Sequence, residues 1–153
     1  SAVVQIQTVH SLPAIRTSVM KIARELGTEE AAQSELERIS DLLYNWREEI
    51  AGQLAAGTPV VAHFHQQALA RELGLNVVGV FGPAPLQARQ IEELSKLNPG
   101  LIIDNVHNPI SAPLVETTEA KLVVWRNFPG SEDMRTLADI FAWNRRSTTE
   151  ALQ

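Results

Sequence analysis

From Gly57 onward the chain alternates four times between a short apolar run and a helical pattern, and few folds accommodate that order. The runs are residues 60–64, 76–81, 101–104 and 122–125. They are rich in Val and Ile and lack a polar face, as strands covered on both sides do. Helical spacing is read at 66–73, 86–97, 112–118 and from 134 to about 152, with Gly74 and Asn98-Pro99-Gly100 as stops. Parallel strands joined by right-handed helical crossovers satisfy this pattern. The expected fold is a three-layer α/β domain around a four-stranded parallel sheet, spanning residues 1–153.

The part before the sheet reads differently. Val3, Val4, Ile6 and Val9 suggest a strand or an extended entry, and His10 follows. Ser11 and Pro13 open a helix whose apolar positions are Ile15, Val19, Ile22 and Leu26, closed by Gly27. Thr28-Glu29-Glu30 opens a second helix over 28–56, with Leu36, Ile39, Leu43, Trp46 and Ile50 at steps of three and four. At the usual rise it is close to ~40 Å long, enough to cross a small domain. Trp46, Trp125 and Trp143 fall on apolar faces and are expected in the core.

Several classes of function are disfavoured. The net charge of -5, with no block of Lys or Arg, does not suit a nucleic-acid surface. No apolar run is long enough to span a bilayer. The chain holds no Cys, so disulfides and thiolate ligands are excluded. No Gly-x-Ser-x-Gly elbow, dinucleotide fingerprint or phosphate-cradling loop occurs.

In open α/β sheets, ligands bind beyond the carboxyl ends of the strands. Those ends carry His63 and His65, residues 79–83, Asp104-Asn105-Val106-His107, and residues 127–133. His10, in a loop before a helix, can reach the same edge. Imidazoles and carboxylates without Cys suit zinc, manganese or a related divalent ion. Residues two apart on a strand point the same way, so His63 and His65 can face one ion. If the chain turns at Phe64, only His63 belongs to the strand. A His read singly is more often a capped or solvent-facing side chain than a ligand, and Asp104 either serves a site or starts a turn. A His-x-His strand end also suits amidohydrolase barrels, but those need roughly 250 residues.

Thr8-Val9-His10 before a helix, the long 28–56 helix, Val60-Val61-Ala62-His63, Leu101-Ile102-Ile103-Asp104 and the 122–130 strand and loop together resemble one family. They are similar to the carboxyl-terminal half of the solute-binding proteins of zinc and manganese ABC importers (cluster A-I). The resemblance implies two α/β lobes on a rigid helix, with a metal ion as cargo between them. It also implies an extracytoplasmic location, delivery to a membrane permease, and no catalysis. Family ligands are three His, or two and a Glu, with one Asp. By motif, His10 and His63 are the implied metal ligands, with His65, Asp104, Asn127 and Asp133 in or beside the cleft. The chain departs from the pattern in three ways. The amino-terminal lobe is absent from it, so a cut from a longer protein is expected. Asn127 stands where an Asp is expected, and the helix after His63 begins with His65 instead of the usual start. Two other readings stand beside this one: a divergent member taking a non-metal ligand or acting as an interaction module, and a small metal-dependent enzyme with Asp104 or Glu132 as base. An uncovered cleft edge with Phe64, Phe81 and Phe128 is expected to self-associate.

Overall fold

The computed structural model describes residues 3–130 and 134–153. Among the described residues, four strands form one parallel sheet in the order β2-β1-β3-β4: β1 (Pro59–His63), β2 (Asn76–Phe81), β3 (Leu101–Asn105) and β4 (Lys121–Trp125). Six helices accompany them: α1 (Leu12–Leu26), α2 (Glu29–Gln53), α3 (Gln67–Glu72), α4 (Ala88–Ser95), α5 (Ala112–Glu116) and α6 (Leu137–Leu152). The α/β architecture expected from the sequence is present.

Alternation along the strands sorts the core into two layers. Val60 and Ala62 of β1, Leu101 and Ile103 of β3, and Val123 and Trp125 of β4 face α2, α3 and α6. Val61, Phe81 and Ile102 face Leu94 of α4 and Leu114 of α5 on the other side. The chain leaves β1 for β2 through α3, then returns past β1 to β3 through α4. The loops after β1 and β3 therefore depart to opposite faces. That reversal opens a crevice at the carboxyl edge.

The 25-residue α2 spans about 38 Å. It buries Leu36, Ile39, Leu43, Trp46 and Ile50 as one stripe. It stops at Gln53, not 56, because Leu54 is already extended at φ -116°, ψ 129°. The side-chain cap of α1 comes from another helix, not from the Ser11 expected there. Ser11 makes no side-chain cap, and the Leu12 N–H donates instead to Glu72 Oε2 of α3 at 3.1 Å. Gly27 closes α1 in the left-handed region, φ 65°. Ile22 and Leu26, expected on the packed stripe, are exposed. Residues 3–10 form no strand; they run along α1, held by Gln7 N–H on Ser18 Oγ (3.1 Å), by the Ser18 hydroxyl on Gln7 O (2.9 Å) and by Lys21 Nζ on Gln5 O (2.9 Å).

Candidate functional site

A cavity of about 540 Å³ opens at the carboxyl edge on the α1/α6 side. His10, Ser18, His65, Asn127, Phe128 and Leu137 are among the residues lining it. Each reaches it for a local reason. The 3–10 segment, pinned to α1 by Ser18, delivers His10, whose ring stands edge-on to Phe141 of α6 at 5.5 Å. His10 Nδ1 is buried without a hydrogen-bond partner among the described residues. Burial also lowers its pKa, so the ring stays neutral further into acid than a free imidazole.

The β4 exit is held from two sides. Asn144 of α6 is fully buried and clamps the Arg126 peptide: its Oδ1 accepts the Arg126 N–H at 2.7 Å and its Nδ2 donates to Arg126 O at 2.9 Å. His107 stacks on Phe128 at 3.8 Å, and its Nε2 lies 3.2 Å from Phe128 O. Between these anchors sits Asn127, whose buried Oδ1 has no partner among the described residues. Two orphaned polar atoms thus belong to residues lining one cavity. Buried polar atoms normally find a partner, so two orphans on one cavity make it the candidate site.

His63 is not among the cavity-lining residues. The chain turns at once after β1, with the Gln66 N–H on His63 O at 2.8 Å, so only His63 belongs to the strand. It follows Val61 onto the α4/α5 face, fully buried, edge-on to Phe81 at 5.5 Å. Its Nδ1 accepts the His65 N–H at 3.1 Å. Its Nε2 faces Asn108 Nδ2 at 3.4 Å and the backbone of Gly82, where an added Cβ would stand 2.7 Å away. Gly82, at φ 79°, is thus required twice over, by conformation and by space. Burial is the main cause lowering the His63 pKa; Asp104 opposes it and His65 adds to it.

Asp104 is likewise engaged away from the cleft. Buried, its Oδ1 accepts the Asn105 N–H at 2.7 Å, and its Oδ2 accepts those of Ile110 (3.0 Å) and Ser111 (2.8 Å). The Asp104 carboxylate thus holds the turn that follows β3. Asp133 and Glu132 lie outside the described residues. Among the described residues, no three His, Asp or Glu side chains gather into a metal-binding group. The structure also draws in residues the sequence did not single out, Asn108 and Asn144. An asparagine after a strand or in a helix carries no mark that distinguishes a clamp from a turn residue.

Both depressed imidazoles make a stability prediction. A folded-state pKa below the unfolded value means that the unfolded chain binds more protons as pH falls, so stability drops with it. The urea midpoint should decline from about pH 7.5 to about pH 5.5, and His10→Gln should flatten part of that slope. A flat wild-type profile would contradict it.

The arrangement defines the fold of a lobe of zinc/manganese-type solute-binding proteins. Among solved structures, the SBP FpvC from Pseudomonas aeruginosa in complex with Mn2+ superposes with a TM-score of 0.74 at 23% identity, over 94% of this chain and 61% of that one. Zn(II)-bound AdcAII of Streptococcus pneumoniae, a mutant variant, gives 0.70 at 18% identity, over 94% and 58%. The laminin-binding protein Lbp of Streptococcus pyogenes gives 0.68 at 18%, over 90% and 60%. The chain therefore spans about three-fifths of the length of each. No family model and no curated protein matches the sequence.

Proposed function

We propose that this chain is the carboxyl-terminal lobe of an extracytoplasmic solute-binding protein that captures a divalent ion, such as zinc or manganese, for an ABC importer. The ion is cargo, handed to a membrane permease, and no reaction is catalysed. The observation that carries this reading is the meeting of His10, His65 and Asn127 on one cavity, in a fold shared with solute-binding proteins solved with Mn2+, Ni2+ and Zn(II). Neutral imidazoles and an amide oxygen are competent ligands for such ions. In this reading His10 gives one imidazole, the β1 exit gives another, and a first lobe completes the coordination.

Calorimetric titration of the chain with ZnCl2 and with MnCl2 tests it, repeated on the full-length gene product. His10→Ala should weaken binding at least about 10-fold, the loss that even an outer-shell partner causes. No heat with either form of the protein would refute the reading. It would favour instead a divergent member taking a non-metal ligand, for which Asn127 in place of an acid already speaks.

The cleft edge carries a further expectation. Phe64 and Phe128 are 50% and 49% exposed there, whereas Phe81, expected beside them, is buried at 2%. The isolated chain should self-associate through that edge, raising its mass in light scattering at high concentration. A clean monomer would count against it, and Phe64→Ser should restore the monomer.

A further inference from the structure

We infer that His65, not His63, is the imidazole that the β1 exit delivers to the cleft, with His63 as the positioning residue beneath it; this rests on the metal-capture reading above. Strand alternation separates the two faces: Ala62 packs towards α2 and α6, so His63 points to the α4/α5 side. His10 belongs to the opposite side, against Phe141 of α6. His65, two residues beyond His63 and past the turn, is exposed and lines the cavity with His10 and Asn127.

The hydrogen bonds of His63 agree. A metal-ligating His donates its other ring N–H to a carboxylate, carbonyl or water. His63 Nδ1 instead accepts a backbone N–H, which assigns the proton of the neutral ring to Nε2. That nitrogen is closed in by Gly82 and by Asn108 Nδ2, which lies 3.4 Å away and also donates to Pro83 O at 2.7 Å. Ligation through Nε2 would move the ring proton to Nδ1, against the His65 N–H.

What His63 does is set the turn. Its Nδ1 takes the His65 N–H, its carbonyl takes the Gln66 N–H at 2.8 Å, and the Phe64 N–H continues the ladder to Phe81 O at 2.7 Å. Three successive peptides are thereby fixed, and the His65 side chain is presented from a rigid corner. The two rings lie 5.2 Å apart at 33°. The lower one supports the upper.

The test is a long-range 1H–15N spectrum of the 15N-labelled chain, before and after ZnCl2. Before zinc, His63 should show a bare Nδ1 and a protonated Nε2. On adding zinc, the His65 and His10 signals should move while the His63 pattern stays. By calorimetry, His65→Ala should lose about 100-fold in zinc affinity, whereas His63→Asn, whose Oδ1 can still accept the His65 N–H, should stay within about 10-fold. Zinc shifting His63 and leaving His65 unmoved would overturn the inference while sparing the metal-capture reading. Zinc moving no imidazole, in this chain and in the full-length product, would overturn both. Should His63→Asn not fold, the spectra of the unsubstituted chain still decide.

Discussion

Trp125→Ala should cost about 3–5 kcal/mol of stability, the usual loss for removing a large buried aromatic. Trp125 is fully buried at the end of β4, an edge strand. Its ring meets Trp46 of α2 at 5.1 Å and 66°, the edge-on geometry that aromatic pairs favour. Its indole N–H donates to Thr148 Oγ1 of α6 at 2.9 Å. The Thr148 hydroxyl in turn donates to Asn144 O at 2.8 Å, and Asn144 is the clamp on Arg126. One side chain therefore joins the sheet, the long helix and the helix that holds the Asn127 loop. In urea denaturation the loss should appear as a lower midpoint with an unchanged slope, and in heating as a drop of roughly 10 °C for a chain this size. Trp125→Phe retains the aromatic packing and forfeits the bond to Thr148, so about 1–2 kcal/mol is expected. Trp46→Phe offers the contrast: the Trp46 indole N–H is buried with no partner among the described residues, so its removal is expected to forfeit no bond. A Trp125→Ala protein within 1 kcal/mol of the original would show that the junction described here does not hold the domain.

The sheet was legible because its signal is dense. Four runs of Val, Ile and Leu between helix stops leave little freedom, and their parallel pairing follows from the intervening helices. Boundaries set by single contacts were not legible. α6 starts at Leu137, not 134, because Thr136 and Asp139 form a capping box, each side chain meeting the other's backbone N–H. Trp143, expected in the core, is half-buried with the Arg126 guanidinium 4.6 Å over its ring. The inward face of α6 runs through Asn144 and Thr148, polar residues that a hydrophobic pattern discards. The cleft was legible in composition and illegible in geometry. His10, His65 and Asn127 were marked by type and by their place at strand exits and helix entries. Which of His63 and His65 lines the cavity with His10 depends on which sheet face each helix covers, and only the assembled topology supplies that.

Asp104 separates architecture from ligation most sharply. Three backbone N–H groups point at its carboxylate from residues 105, 110 and 111, inside a site that is 3% exposed. Asp104→Ala leaves those donors without partners, and each buried orphan costs about 1–3 kcal/mol, so a loss of at least about 3 kcal/mol is expected. Asp104→Asn keeps one acceptor of the same shape. Its oxygen should turn to the Ile110 and Ser111 donors, leaving its amide against the Asn105 N–H, at a cost of about 1–2 kcal/mol. Chemical denaturation orders the three proteins. Zinc titration of Asp104→Asn then answers a different question. If the carboxylate is committed to the β3–α5 loop, the affinity of the folded variant should match the original within about 3-fold, below the loss that even outer-shell partners cause. A loss beyond 10-fold in a protein that remains folded would return Asp104 to the ligand set. In that event the ion would be met through Oδ1, which accepts a single backbone N–H, because Oδ2 already accepts two.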